Sequence, residues 1–338
     1  MNNIVKDSHD PLYKQIAHRI VADIRKGKIP AGGILPSISD LKKQFPAGRV
    51  TIVNALKKLV RDGFAVAKHG KGFFATSMGE KNLLGVILPM HSPSYIQIYS
   101  GLLAGIDNAA KKAGHRILMM SSDEDTDRFN EVIDEMIISR GVRWIIAVPP
   151  MNGKESNLKF LSRKRADGIR VAIVDRRLPQ EFLQFRQDRI HGLSLLIDRV
   201  AGKKAKSILV FLGEKNERAM RLLKEIACKK GLREVSFAVH KNPVKDLESI
   251  RNLAPDAVLC ENDFHARSIL DSMAEKPGFL ISGYGATPTA VDIFPRLTTV
   301  NPDFASAGMM AFEYLSGKEP CDNNIINLKP YLLDGDTL

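Results

Sequence analysis

At 338 residues the chain exceeds one ordinary domain, and two or three are expected. Hydrophobic residues at 44% and charged residues at 26% exclude a disordered or fibrous chain. The net charge of +12 is uneven: residues 1–77 hold 14 Lys/Arg against 5 Asp/Glu, and the remainder holds 36 against 33. A field so localised favours a polyanion at one end of the molecule, the alternative being a plain solvated basic surface.

Cys228, Cys260 and Cys321 are far apart and form neither a disulfide framework nor a metal spacing. The opening MNNIVKDSHD has no apolar core of a secretory leader, and no apolar run approaches the ~18 residues of a membrane span. The expectation is a cytoplasmic protein without a membrane partner.

In chain order, residues 1–10 are polar. Asp10-Pro11 starts a helix, Asp as N-cap and Pro at the first helical position. Leu12, Ile16, Ile20 and Ile24, with Tyr13 and Ala17, line one face at helical spacing. Gly27 ends it. Ser37 caps the next helix, with Asp40 as a variant capping box, and Leu41 and Phe45 face inward. Pro46-Ala47-Gly48 is a turn, and a second helix runs from about Arg49 to Arg61. Val50, Val53, Leu56, Leu59 and Val60 are expected on its buried side, with Arg49, Thr51, Asn54, Lys57 and Lys58 outside. A hairpin follows: strand Phe64–Ala67, turn His69-Gly70-Lys71-Gly72, strand Phe73–Thr76. Residues 1–77 are thus expected to be a winged helix-turn-helix, and 78–82 a linker.

From Leu83 short apolar runs alternate with amphipathic segments, the βαβ pattern of a parallel sheet. The expected strands are Leu83–Leu88, Arg116–Met120, Trp144–Val148, Val171–Val174, Ser207–Leu212, Glu234–Val239, Ala257–Leu259, Phe279–Ser282 and Thr298–Val300. Helices are expected near 96–113, 126–140, 155–167, 189–202, 215–230, 244–253, 263–274 and 303–317. Nine strands are many for one doubly wound sheet. Residues 83–338 are expected to form two α/β lobes, about 83–175 with 302–324, and 176–301 with 325–338. Such sheets bind ligands outside the strand C-termini.

The second helix of a helix-turn-helix enters the major groove N-terminal end first. Arg49, Thr51 and Asn54 are therefore candidates for reading base edges, where each good bidentate contact discriminates by ~1–3 kcal/mol. Lys57 and Lys58 lie further along and suit phosphate contacts, which position without specifying. In the wing, Gly70 lets backbone approach a sugar-phosphate chain, within reach of His69 and Lys71. Ser37 and Val50 complete the DNA-facing set. For each lysine the bland reading is a solvated face.

Leu35-Pro36-Ser37, Leu41, Gly48-Arg49-x-Thr51, Ala55-Leu56, Leu59, Asp62-Gly63 and Gly70-Lys71-Gly72-x-Phe74 together resemble the GntR family of bacterial transcription regulators, over roughly residues 9–76. Two departures are Ser39, where the family often has an arginine, and Pro46 in the inter-helix turn. The rest, roughly 82–335, resembles the LacI/GalR type, built like periplasmic sugar-binding proteins. Its carriers are Leu83–Pro89, Ser92-Pro93-Ser94-Tyr95, Gly101-Leu102, Ser122–Asp125, Val174-Asp175-Arg176, Asp188 with Gly192, Glu261-Asn262-Asp263, Gly283-Tyr284 and Leu297–Val300.

These resemblances imply a repressor or activator, a repressor in the first instance, that dimerises on a double-stranded DNA operator and answers to a sugar or sugar derivative. Carried over, Tyr95 would stack on a sugar ring, Arg218 or Arg221 would bind hydroxyls or a carboxylate, and Asn262 and Asp263 would exchange hydrogen bonds with hydroxyls. Arg176 would reach the same pocket. Gly285 stands where the family usually has a sugar-gripping Asp, a loss that Asn152 would partly offset. The structural alternatives are Tyr95 as core, Asp263 as helix N-cap, Asp175-Arg176 as an ion pair and Asp123-Glu124-Asp125 as a solvated helix start.

No Ser/His/Asp set, metal spacing or GxxxxGK[ST] loop appears, and Gly283-Tyr284-Gly285 lacks the rest of a dinucleotide fingerprint. Neither an enzyme nor a cofactor is expected. The competing expectation is a small-molecule binding protein whose basic domain serves another partner.

Overall fold

The computed structural model describes residues 11–25, 27–30, 32–76, 82–153, 155–317 and 324–338. The expected N-cap Asp10, residues 78–81 of the expected linker, and Cys321 lie outside the described residues.

The N-terminal part contains α1 (Leu12–Arg25), α2 (Ile38–Gln44), α3 (Arg49–Arg61), β1 (Ala65–Lys68) and β2 (Gly72–Ala75). On α1 the stripe of Ile16, Ala17, Ile20 and Ile24 is buried, joined by Val21. It packs with Leu35, Leu41, Phe45, Ile52, Leu56, Leu59 and Ala75 into one small core. Ser37 closes the start of α2 as the sequence predicts. Its Oγ accepts the Asp40 N–H at 3.1 Å and donates to Asp40 Oδ2 at 2.6 Å, while the Ser37 N–H donates to the same carboxylate at 3.2 Å.

Two of the residues expected on the buried side of α3, Val50 and Val53, are not in its buried stripe, Val53 being half-buried. Val50 is 74% exposed, whereas Ile52 is fully buried. The inward stripe is Ile52, Ala55, Leu56, Leu59 and Val60, spaced as one helical face. Val50 shares the opposite face with Asn54 and Lys57, both exposed.

The chain continues with β3 (Leu83–Leu88), α4 (Pro93–Ile98), α5 (Ser100–Lys112), β4 (Arg116–Ser121), α6 (Thr126–Arg140), β5 (Trp144–Ala147), α7 (Glu155–Ala166), β6 (Arg170–Val174) and β7 (Leu183–Arg186). Then come α8 (Arg189–Gly202), β8 (Ser207–Leu212), α9 (Glu217–Lys229), β9 (Glu234–Val239), α10 (Pro243–Leu253), β10 (Ala257–Cys260), α11 (Asp263–Asp271), β11 (Leu280–Tyr284) and α12 (Pro288–Val291). The last elements are β12 (Thr298–Asn301), α13 (Phe304–Ser316), β13 (Ile325–Asn327) and β14 (Tyr331–Leu333). Two six-stranded sheets result, ordered β13-β7-β6-β5-β3-β4 and β14-β12-β11-β10-β8-β9. The pairs β4-β3-β5-β6 and β9-β8-β10-β11-β12 are parallel, and β14 joins β12 antiparallel. This is the α/β architecture that the alternation of apolar runs and helices predicts.

All nine expected strands are present, three with the expected ends and six with an end shifted by one or two residues. The helix expected near 96–113 is two, α4 and α5, because the chain leaves helical geometry at Tyr99 (φ −96°, ψ 8°). The short elements β7, α12, β13 and β14 were not expected.

The chain forms two compact units: Met1–His91 with Asp107–Gln184 and Ala311–Asn324, and Ser92–Ile106 with Phe185–Met310 and Ile325–Leu338. In the first, Val66 of β1 joins the buried cluster of Phe129, Ile133, Met136, Ile145 and Phe182, with Phe74 of β2 packed against it. The hairpin of the N-terminal part therefore shares a core with α6 and β5. In the second, Leu193, Leu196, Ile197, Val210 and Leu223 form one core layer and Leu209, Phe211, Val258, Ile269 and Ile281 another.

Candidate nucleic-acid interface and effector-site residues

The exposed face of α3 carries Arg49, Val50, Asn54 and Lys57, with Thr51 half-buried beside them. Gly48 is the N-cap and supplies no side-chain acceptor, and the first turn contains no acidic residue. The helix N-terminus and Arg49 thus add positive potential at one point, the polarity that suits a phosphate chain. Lys58 is engaged differently. It forms an ion pair with Asp62 one turn on, and its side chain is only 16% exposed. Lys57 is the lysine left at the surface.

The wing is a two-stranded ribbon in which Lys68 pairs with Gly72. His69, Gly70 and Lys71 form its exposed tip. The Lys71 N–H donates to the Lys68 carbonyl at 3.0 Å, and Gly70 takes φ +70°, the left-handed turn that glycine adopts without Cβ strain. Lys68 lies over the Phe74 ring at 4.8 Å. Ile34 makes an isolated antiparallel bridge with Phe74, tying the chain before α2 to the ribbon. Ser37, with both hydroxyl roles used in the capping box, sits at the exposed start of α2.

Of the expected effector residues, Asn152 and Arg176 belong to the first unit. Arg176 is fixed on three sides. Its Nε donates to the Pro149 carbonyl at 3.0 Å, Nη1 to Asp175 Oδ2 at 2.8 Å, and Nη2 to Glu124 Oε1 at 3.0 Å. Glu124 Oε2 accepts the Met151 N–H at 2.9 Å. Glu124 is therefore no part of a solvated helix start; only Asp125 serves as the N-cap of α6, accepting from Asp127 and Arg128. Asp123, Glu124 and Asp175 all have positive φ, between 52° and 61°. Such conformations cost of order 1–3 kcal/mol each and cluster at ligand sites. The cluster lies beyond the C-terminal ends of β4, β5 and β6, with exposed Asn152 in the turn that follows β5.

Tyr95, Arg218, Arg221, Asn262 and Asp263 belong to the second unit. Tyr95 is half-buried on α4, its ring 6.4 Å from that of Tyr99, which packs on Phe304 at 5.5 Å. Arg218 and Arg221 are exposed on α9. Asn262 is the N-cap of α11, its side chain accepting the His265 N–H at 2.7 Å, so the cap is Asn262 and not Asp263.

Asp263 is fully buried. Its Oδ2 accepts from the Thr287 N–H at 2.8 Å and the Thr287 hydroxyl at 2.9 Å, and its Oδ1 from the Thr299 hydroxyl at 2.5 Å. Burial pushes this carboxyl above its ordinary pKa, against the three hydrogen bonds and Arg267. A Cβ at Gly283 would stand 2.2 Å from Asp263 Oδ1, so the glycine of the Gly-Tyr pair makes room for this carboxylate. Asp263 fastens α11 to the loop before α12 and to β12.

Sequence reasoning passed over Gln97, whose Oε1 accepts from the Thr289 hydroxyl at 2.7 Å and the Thr289 N–H at 3.2 Å. It also passed over Arg267, which is buried and donates to the carbonyls of Ile293 and Pro295 at 2.9 and 2.7 Å. Neither stands in a motif. A polar residue two places after Tyr95, and an arginine on the apolar side of a helix, were the available signals.

Residues 12–75 match the family model described as bacterial regulatory proteins, gntR family. The N-terminal domain is a GntR-type winged helix-turn-helix. Over its length the chain is similar to the arabinose metabolism transcriptional repressor of Geobacillus stearothermophilus, 23% identical across 336 residues and 92% of each protein. Among solved structures it resembles the transcription regulator CcpA of Lactococcus lactis, with a TM-score of 0.61 at 19% identity over 76% of this chain and 98% of that one. It also resembles a periplasmic binding protein/LacI transcriptional regulator from Alkaliphilus metalliredigens complexed with D-xylulofuranose. That match has a TM-score of 0.60 at 19% identity over 76% of this chain and 99% of that one. The GntR-type head is thus joined to the α/β fold of LacI-type regulators. The relatives named are regulators rather than enzymes. Among the described residues no helix is long and apolar enough to cross a membrane.

Proposed function

We propose that this protein is a cytoplasmic transcription repressor that binds an operator as a homodimer and is controlled by a sugar or sugar derivative. Residues 1–77 act as the DNA-binding head and 83–338 as the effector-binding and dimerising part, with no catalytic activity of its own. The observation that carries the reading is the exposed Arg49-Val50-Asn54-Lys57 face of α3 beside a basic wing tip, in a GntR-type head fused to a LacI-type fold. Arg49, Thr51 and Asn54 read bases. Lys57, His69 and Lys71 hold the backbone, with the Gly70 turn at the wing tip and Ser37 at the start of α2. Val50 fits apolar contact with a thymine methyl. Lys58 contributes less than Lys57, being committed to Asp62.

The effector side rests on Arg176, held in a preset orientation beyond the strand ends of the first unit, and on Tyr95 in the second. The similar arabinose repressor and the xylulofuranose-bound regulator favour a carbohydrate. Asn152, Arg218, Arg221 and Asn262 remain in the proposed set. Asp263 acts as support for that set, its acceptors being occupied within the protein.

A footprint on duplex DNA from upstream of the coding region tests the operator, with a protected two-fold site expected. A thermal-shift series of sugars, sugar phosphates and sugar acids tests the effector. A ligand at 100 times its Kd stabilises by ~2.7 kcal/mol. An unprotected footprint, or a stabilising ligand that leaves the footprint unchanged, contradicts the proposal.

A further inference from the structure

Three metal-ligating side chains converge in the second unit, outside the residue sets above. His240 follows β9, Asp246 lies in the first turns of α10, and His265 is the third residue of α11. Asp246 Oδ2 is 2.7 Å from His240 Nδ1 and 3.1 Å from His265 Nε2. One ligating atom from each residue lies within 4.8 Å of the others. The two imidazole centroids are 3.7 Å apart. The side chains of Asp246 and His265 are each 2% exposed, that of His240 35%.

A buried carboxylate needs a compensating cation or a full set of donors. Among the described residues no Lys or Arg ion pair reaches Asp246; its remaining contact is the Lys241 N–H, 3.3 Å from Oδ1. The two imidazoles cannot supply the charge together. Protonating both would place two cations ring against ring.

We infer that His240, Asp246 and His265 form a binding site for a divalent transition metal, with zinc the ion whose ligand preferences they match. Two imidazoles and one carboxylate are a donor set zinc takes, with a fourth position left to water or another ligand. Bond lengths of ~2.0–2.2 Å put neighbouring ligand atoms about 3.3 Å apart in a tetrahedron. On the carboxylate side, the 2.7 Å His240–Asp246 spacing would open by about 0.6 Å and the 3.1 Å His265–Asp246 spacing by about 0.2 Å, while the two imidazole nitrogens would settle to the same separation. Each imidazole then carries its proton on the nitrogen away from the ion. Entry is from the His240 side, the exposed one. The supporting contacts are in place: Lys241 holds the second carboxylate oxygen, and the Phe211 ring meets His265 edge-on at 4.7 Å. An ion here would clamp the end of β9 to the starts of α10 and α11.

The test uses the full-length, tag-free chain, stripped with a chelator and desalted, then equilibrated with Zn2+ and, in parallel, with Co2+ as a spectroscopic probe. The expected result is one tightly held Zn2+ per chain, visible d–d bands of tetrahedral Co2+, and a rise in Tm with Zn2+. His240→Ala, at the exposed position, should lose at least about tenfold in Zn2+ affinity. Asp246→Asn should lose the Co2+ bands. Absence of saturable Zn2+ binding by the wild type overturns the inference, as does His240→Ala binding Zn2+ as the wild type does. Should Asp246→Asn fail to fold, His240→Ala decides the question alone.

Discussion

The Arg143 guanidinium donates through Nη2 to the backbone carbonyl of Arg61 at 3.0 Å. Arg61 is the last residue of α3, and Arg143 immediately precedes β5. One arginine of the α/β part thus covers the carbonyl end of the helix proposed to read DNA, where a cation complements the helix dipole. Asp62 and Asp167 act on the same guanidinium electrostatically, and burial, the larger effect, lowers its pKa. Together with Val66 and Phe74 in the shared core, this contact ties the GntR-type head to the α/β part of the same compact unit.

Replacing Arg143 by Ala should loosen that junction without unfolding either part. A hydrogen bond from a charged donor contributes ~1.5–3 kcal/mol, and partial exposure places this one near the lower end. Hydrogen exchange followed by mass spectrometry should show faster exchange at 58–64, with α1 unchanged. Unaltered exchange there would mean that Arg143 does not secure the head.

On DNA, Arg49 and Lys57 should separate cleanly. Arg49→Ala should cost ~1–3 kcal/mol on the operator and far less on nonspecific duplex. Lys57→Ala should weaken both about equally and reduce the salt slope by about 1. Binding isotherms at several salt concentrations check both, and equal losses for Arg49→Ala on the two duplexes would remove its base-reading role.

The capping box gives a pH-dependent prediction. The Ser37 hydroxyl, and after it the Ser37 amide, lower the Asp40 pKa. A carboxylate whose folded pKa is depressed contributes stability above its unfolded value and loses it as pH falls through the folded one. Ser37→Ala should cost ~1 kcal/mol at neutral pH, shrinking below about pH 4. Denaturant titration at the two pH values reads the difference.

Arg176 and Glu124 should be strongly coupled, with side chains 13% and 19% exposed. A double-mutant cycle of Arg176→Ala and Glu124→Ala on stability should return ~0.5–3 kcal/mol of interaction energy. Additive losses would mean that the pair is incidental.

Asp263 separates structural support from effector contact. Asp263→Ala strands three donors, each worth ~1–3 kcal/mol when left unsatisfied, so a loss of several kcal/mol is expected. Thr299→Val, which removes one of the donors, should be mild and should leave effector affinity unchanged.

The GntR-type head was legible in the sequence because its signals are local. The Ser37/Asp40 box, the Leu41 and Phe45 pair, and the Gly70 turn each act within a few residues. Val50 was misplaced because α3 offers two apolar registers, and only the start at Arg49 decides that Ile52 rather than Val50 turns inward. The parallel strands were equally plain, being buried runs such as Leu83–Leu88. The short strands β7, β13 and β14 were not, since each is held by pairing with a distant segment, as when the Gln184 N–H donates to the Asn324 carbonyl at 2.7 Å. Glu124 and Asp263 look like helix-start acids in sequence. Their roles depend on Arg176, 52 residues away, and Thr299, 36 residues away. His240, Asp246 and His265 match no metal spacing for the same reason: α10 and α11 bring them together.

The most direct test of the central claim is a fluorescence anisotropy titration of the full-length protein on its footprinted duplex. It would be run with and without the stabilising sugar, and repeated on a scrambled duplex. The prediction is tight, salt-sensitive binding to the footprinted site, much weaker binding to the scrambled one, and an operator affinity that the sugar lowers at least about fivefold, the usual scale of allosteric coupling. Equal affinity for the two duplexes, or an operator affinity indifferent to a sugar that demonstrably binds, would contradict it.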